Sequence, residues 1–377
     1  TGKKPALIYA VFGLDGATDG RGNVLTTAKP TDPLELLLIT AEGDPVFVPL
    51  DVNRQEVITM AQRLRRQVAT PSRADRQDTT YLSAAQALYQ WLVAPVQAQL
   101  DEQNIDTISF ITDTGLRSVP MAALHDGENF IIQNYNVGLM PSLSLTDLTY
   151  QGLDNVSALV AGTSAFADQA SLPGVPVELE AISSKWDSTV LRGDTFSLDK
   201  LQGERQQSPY GIIHLATHGE FNIGDLSKSY LHLHNEKLGL DQLRNIGLHQ
   251  PSVELLTLSA CQTALGSRSA ELGFAGFAVL AGAKTSVASL WNVSDEASAG
   301  LMIEFYRQLE TAQPIIKAEA LRQAQLAMIQ GDITVKNDRL NGLTESRKLP
   351  AELAIEGEQE FSHPYYWAAF SLVGSPW

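Results

Sequence analysis

The part of the chain that most constrains the fold is its second half. Short apolar runs rich in leucine and β-branched residues recur there at 156–161, 212–217, 253–260 and 285–291, each bounded by Gly, Pro or polar residues. Runs this short read as buried strands. Between and after them lie helical patterns at 177–186, 240–246, 271–281, 296–309 and 316–329. A strand that buries both faces loses its polar alternation, and parallel neighbours need crossovers. The rhythm therefore predicts an α/β fold with a mostly parallel central sheet flanked by helices.

The first 150 residues form a mixed α/β half with strands at 6–12, 34–39, 46–48 and 105–112 and helices at 56–68 and 82–100, where Leu88, Trp91, Leu92 and Val96 share a face. No catalytic cluster is visible there, so the expected division is 1–150 and 151–377. Residues 331–360 lack periodicity and carry many charges and turn formers, which predicts a long loop or insertion. The chain closes on an apolar run at 366–373, expected to be a strand that returns to the core.

Composition narrows the class. With 377 residues, 44% apolar and 19% charged, the chain is an ordinary globular protein large enough for a substantial core. Its net charge of −16 argues against general nucleic-acid binding, since neutralising phosphates takes clustered Lys and Arg. The arginines at 63, 65, 66 and 73 read as a solvated helix face and polar loop rather than as such a patch. No apolar stretch reaches the length of a membrane span, so no membrane partner is expected. The chain opens on Thr1, so it supports no argument about a signal peptide. One cysteine excludes an internal disulfide framework and metal sites built from cysteine, and fits a reducing, cytoplasmic setting.

That cysteine, Cys261, stands where the strand at 253–260 gives way to polar and small residues. The strand at 212–217 ends the same way, in His218-Gly219. The spacing between them suits one βαβ crossover, which would bring the two strand ends together at the carboxyl edge of the sheet, where chemistry collects in open α/β folds. Imidazole beside a thiol can take its proton or lower its pKa by ion pairing. Gly219 lets backbone approach a substrate, and its N–H, with that of Cys261, can face a developing oxyanion. The plain alternatives are a small buried cysteine and a turn glycine.

Other polar residues have structural readings. His214 would lie within the sheet, His232 and His234 alternate with leucines on a hairpin strand, and His363 precedes Pro364 in an aromatic cluster. None has the partners a metal site needs, so no metal is expected. No Gly-x-Gly-x-x-Gly or Walker-type turn is present, so no cofactor is expected either. Asp295 follows the third strand end, where its carboxylate could pair with a cationic substrate side chain. Ser294-Asp295-Glu296 also reads as a helix N-terminus, with Ser or Asp as the cap.

Several motifs in order carry a family resemblance: Ile213-His214-Leu215-Ala216-Thr217-His218-Gly219-Glu220-Phe221, Leu256-Thr257-Leu258-Ser259-Ala260-Cys261-Gln262-Thr263-Ala264, Glu271-Leu272-Gly273-Phe274-Ala275-Gly276, Ser289-Leu290-Trp291-Asn292-Val293-Ser294-Asp295 and His363-Pro364-Tyr365-Tyr366-Trp367-Ala368-Ala369-Phe370. Together they resemble the CHAT domain over roughly residues 80–377. This is a caspase-like family of clan CD cysteine peptidases, related to separase and often found after tetratricopeptide repeats in bacteria, especially cyanobacteria. The resemblance implies a caspase-haemoglobinase fold, with an amino-terminal pseudo-protease half packed on a catalytic half. It also implies His218 as general base, Cys261 as nucleophile, Gly219 and Cys261 as oxyanion donors, and Asp295 as the S1 carboxylate that selects a basic P1 residue. The repeat array itself is absent from this sequence.

Three functions follow as expectations. The first is a cysteine endopeptidase that cleaves a protein substrate after Arg or Lys, with tetratricopeptide repeats or an activating protein as further partners. The second is a catalytically silent module of the same fold that serves as a regulatory interaction scaffold; the intact His218 and Cys261 favour the enzyme over it. The third, a cysteine acyltransferase or amidase acting on a small molecule, requires a closed apolar pocket.

Overall fold

The computed structural model describes residues 1–13, 28–70, 72, 77–220, 222, 225–261, 273–311, 313–355 and 357–377, and for Cys261 it describes the backbone alone. The chain opens with β1 (Pro5–Phe12), β2 (Pro33–Thr40) and β3 (Val46–Asn53), then α1 (Arg54–Val68), α2 (Leu82–Leu92) and α3 (Gln97–Glu102). Next come β4 (Thr107–Thr112), a single-turn α4 (Ile131–Asn134) and β5 (Asn136–Leu139). In β1 and β2 alternate residues are buried, the period of a strand with only one face covered. Asn53 starts α1 as a capping box, its side chain accepting from the Glu56 N–H while the Glu56 carboxylate accepts from the Asn53 N–H.

The second half holds β6 (Ala158–Gly162), α5 (Val175–Ser183), β7 (Ser188–Arg192), α6 (Leu198–Gln207), β8 (Ile212–Glu220), β9 (Tyr230–His232), β10 (Lys237–Gly239) and β11 (Leu255–Cys261). It continues through α7 (Gly273–Leu280), β12 (Thr285–Ser289), α8 (Asp295–Thr311) and α9 (Lys317–Ile329). Every residue of β4, β6 and β12 is buried, so both sheet faces are covered there. α5 packs on β6 and α8, and α8 on α9, while α7 packs on β12.

All these strands, together with β17 (Phe370–Gly374), join one 13-stranded sheet whose main path runs β10-β9-β8-β11-β12-β17-β5-β4-β1-β2-β3, with β6 and β7 branching from β8. β6, β7, β8, β11 and β12 are mutually parallel, as are β1, β4 and β5. Antiparallel strands occur at β1-β2-β3 and in the β9-β10 hairpin. β17 (Phe370–Gly374), the last strand in the chain, lies between β12 and β5, antiparallel to the first and parallel to the second. At its end Gly374 has φ +105, and a Cβ there would sit 2.3 Å from the Lys284 carbonyl oxygen, so only glycine fits.

Three local expectations need correction. Residues 331–360 are not a loop: β13 (Thr334–Lys336), β14 (Arg339–Asn341), β15 (Arg347–Lys348) and β16 (Glu358–Glu360) form a separate four-stranded sheet. Strands of two or three residues are too short to show a period, but Ile333, Val335, Leu340 and Leu349 are buried beneath them. Among its described residues the crossover from β8 to β11 contains no α-helix. It carries the β9-β10 hairpin and a 3-10 helix at Leu240–Ile246, which ends at Gly247 with φ +75. The closing run begins as a helical turn, α10 (Pro364–Trp367), capped by His363 Nδ1 accepting from the Tyr365 N–H, before β17 starts. Among the described residues no helix is long and apolar enough to cross a membrane.

Arg205 on α6 is buried and donates to three carbonyls, Tyr210 at 3.0 Å, Gly247 at 2.7 Å and Pro251 at 2.6 Å. It thereby fixes the approaches to β8 and β11 together. Arg205→Ala should destabilise the protein by about 3 kcal/mol or more, read as a lower urea midpoint at unchanged slope, because charged hydrogen bonds are lost and buried carbonyls left bare. Lysine should recover only part of this, since one ammonium cannot reproduce the guanidinium fork.

Candidate active site

β8 changes partner along its length. On the side away from β11 its residues Ile212–Ala216 pair with β6, but Gly219 and Glu220 pair with β9. β6 ends at Gly162 opposite Ala216, so the chain leaving it crosses beside Thr217 and His218. On the other side β8 stays in register with β11 to the end of β11, with Ala260 opposite Thr217 and Cys261 opposite His218. The sequence-predicted base and nucleophile are thus lateral neighbours at the carboxyl ends of two parallel strands. The thiol position lies outside the described residues.

His218 is half-buried. Its Nε2 lies 2.8 Å from the Ala170 carbonyl oxygen, which can only accept, so Nε2 carries the proton. In the neutral ring Nδ1 then holds the free lone pair. Phe166 packs on the imidazole with ring centroids 4.6 Å apart, and His232 lies edge-on at 6.3 Å. Burial pulls the His218 pKa below its ordinary value, with His232 adding to the effect and the Ala170 carbonyl and Glu220 opposing it. The imidazole therefore rests neutral at physiological pH. Glu220 is tied down by His232 Nε2 at 3.2 Å and by Gln169 Nε2 at 3.3 Å. Gly219 stands opposite Leu231 of β9.

Asp295 is the first residue of α8, several positions beyond the end of β12, the strand that pairs with β11. The cap interaction at this helix start is made by Ser294, whose Oγ accepts from the Ala297 N–H. Asp295 points elsewhere: its Oδ2 accepts from the N–H of Gly174, the residue that precedes α5, at 2.5 Å. A Cβ on Gly174 would lie 2.8 Å from the Asp295 Cγ, so a side chain there would displace the carboxylate. Burial is the main reason the carboxyl is pushed up to about 7; nearby Glu178 and Glu296 raise it further, against the Gly174 hydrogen bond. Behind it, the buried Glu178 Oε1 lies 3.1 Å from His214 Nε2, in a contact poorly aligned as a hydrogen bond. His214 Nδ1 in turn faces the Tyr306 hydroxyl, which donates to Thr257 Oγ1.

His214 is thus interior, as its place in the strand predicts, and among the described residues no group of three or more His, Cys, Asp and Glu could hold a metal ion. The sequence reading missed the surroundings of His218. Phe166 and Ala170 come from a stretch without periodicity, where only the Pro-Gly-Val-Pro helix start at 173–176 gives a signal. Glu220 and His232 had a better one, since Glu220 follows His218-Gly219 directly and His232 sits on the predicted hairpin.

The CHAT domain family matches residues 82–375, most of the chain. The chain belongs to the CHAT domain family. No curated protein sequence matches this CHAT chain. Among solved structures it is similar to Saccharomyces cerevisiae separase in its complex with securin. In the 3.0 Å structure the TM-score is 0.58 at 9% identity, over 99% of this chain and 30% of the separase chain. In the 2.6 Å structure it is 0.54 at 10% identity over the same shares. The Arg-specific cysteine proteinase gingipain R matches with a TM-score of 0.47 at 10% identity, over 84% of this chain and 74% of its own. By its likeness to separase the CHAT chain has a caspase-like fold, and it spans less than a third of the separase chain it matches.

Proposed function

We propose that the protein is a cysteine endopeptidase that cleaves a protein substrate after Arg or Lys. The observation that carries this is the pairing of Cys261 with His218 at adjacent strand ends, beside an imidazole whose tautomer is fixed. In the proposed reaction Nδ1 of His218 takes the thiol proton of Cys261, and the thiolate attacks the scissile carbonyl carbon. The N–H groups of Gly219 and Cys261 receive the oxyanion. As the tetrahedral species collapses, the imidazolium returns the proton to the leaving amine and a thioester remains. Water, deprotonated by the same imidazole, then releases the acid and restores the thiol.

Asp295 supplies the P1 preference in this reading, supported by its half-buried carboxylate at the start of α8, on the segment that follows β12. An acyloxymethyl ketone carrying P1 Arg should label Cys261, detected by peptide mass spectrometry, and should outcompete its P1 norleucine analogue. A folded protein that leaves both reagents unreacted would overturn the peptidase reading and favour the silent scaffold.

The carboxyl of Asp295 also sets a pH dependence. Because its folded pKa is raised, the protonated form favours the folded state at low pH, and that contribution is lost as pH rises through about 7. Below about 7 the neutral acid also loses its attraction for a cation. The ratio of kcat/KM for P1-Arg over P1-norleucine peptides should hence be flat above neutrality and fall by up to about tenfold per pH unit below it. Taking the ratio cancels the titration of the dyad. Glu178, Glu296 and the Glu178–His214 pair face the same carboxyl, so Asp295→Asn is the control, and its ratio should be independent of pH.

A further inference from the structure

One short segment holds both ends of the proposed site. The chain between β6 and α5, residues 163–174, folds back on itself where the Leu172 N–H donates to the Ser164 carbonyl at 3.0 Å. From this loop the Ala170 carbonyl accepts from His218 Nε2 and the Phe166 ring covers the imidazole, while four residues on the Gly174 N–H donates to Asp295. The tip of the loop is lightly held. Residues 167–171 are all exposed, and Gln169 adds only a 3.3 Å contact to Glu220. Gly174 is anchored from behind, as its carbonyl accepts from the Glu178 N–H in the first turn of α5.

Resting on the reading of Asp295 as the P1 carboxylate, we propose that residues 170–174 are a positioning segment that passes occupancy of Asp295 by a guanidinium on to the imidazole of His218. A cation beside Asp295 holds the carboxylate ionised, and an ionised acceptor binds an N–H roughly twice as strongly as a neutral one. The Gly174 amide is drawn tighter and the N-terminus of α5 gains an anion, which its dipole favours. The Ala170 carbonyl then moves less, so His218 Nε2–H is held more firmly and Nδ1 keeps its aim. A P1 cation in this scheme raises kcat as well as lowering KM, whereas an electrostatic pocket uncoupled from the base changes binding alone.

The experiment follows the wild-type protein by NMR during titration with argininamide, which carries the P1 guanidinium and no peptide bond to cleave after it, with norleucinamide as the neutral control. Two signals are read: the Asp295 carboxyl carbon and the solvent exchange of the His218 Nε2 proton. The expected result is an Asp295 shift with about tenfold slower His218 exchange under argininamide, and neither change under norleucinamide. An Asp295 shift with unchanged His218 exchange overturns the coupling and leaves the S1 reading intact. No shift at Asp295 overturns the S1 reading and the coupling with it. Gly174→Ala keeps a backbone alanine can adopt while pushing the carboxylate from the amide. It should respond at Asp295 but not at His218, and a preserved His218 response would overturn the route through Gly174.

Discussion

Replacing either Cys261 or His218 with alanine should reduce turnover of a cleavable P1-Arg peptide by a factor on the order of 10⁴ or more, with the double variant scarcely worse than either single one. Residues that act as one unit lose their joint effect at the first deletion, so the losses do not multiply. The fold should tolerate both changes. His218 is only half-buried and lies at a strand end, where truncation costs on the order of 1 kcal/mol, mainly through lost stacking on Phe166. Burst kinetics add a second check: His218→Ala should slow thioester formation rather than substrate binding, leaving KM close to that of the parent. Near-normal proteolysis by either variant would remove the dyad from the mechanism.

Asp295→Ala should lower kcat/KM for P1-Arg peptides by about 10² to 10³, and for P1-norleucine peptides by no more than a few-fold. The size follows from the cost of leaving a cation desolvated without its partner, about 3–5 kcal/mol for a well-buried pair. Arg should be preferred over Lys in the parent, since a planar guanidinium can meet both carboxylate oxygens. Stability should change in the opposite sense to an ordinary cap deletion. At pH 8 the parent must hold an ionised carboxylate in a site that raises its pKa, so its removal should cost little or even stabilise. P1 profiles from a peptide library, taken with urea melts at pH 5 and 8, check both halves; identical profiles would confine Asp295 to a structural role.

How far the sequence could be read depended on the range of the forces involved. β6, β8, β11 and β12 bury both faces, so their apolar runs stand out, and their parallel alignment follows from the helices and hairpin between them. Their ends were legible for the same reason, which is why His218 and Cys261 could be named together. What could not be read was local structure too short to have a period, such as β13 to β16, and contacts made by backbone atoms. The carbonyl of Ala170 and the amide of Gly174 leave no mark in a side-chain pattern, yet one fixes the His218 tautomer and the other holds Asp295. Asp295 itself was ambiguous because a helix start and a binding carboxylate need the same residue type. In the structure Ser294 makes the cap interaction of α8, and the Asp295 carboxylate accepts from the Gly174 N–H.

The position of β17 bears on how the protein is made. It follows every other strand in chain order but fills a central slot, with β12 on one flank and β5 on the other. During synthesis the two flanking strands emerge first and wait with unpaired edges, the condition that invites strand addition from other chains. The sheet closes in a single late event joining distant parts of the sequence, so folding should be slow for the size of the protein and dependent on the emergence of β17. A ribosome stalled before residue 370 would therefore hold two incomplete sheets, and a chaperone that shields strand edges would act in that interval.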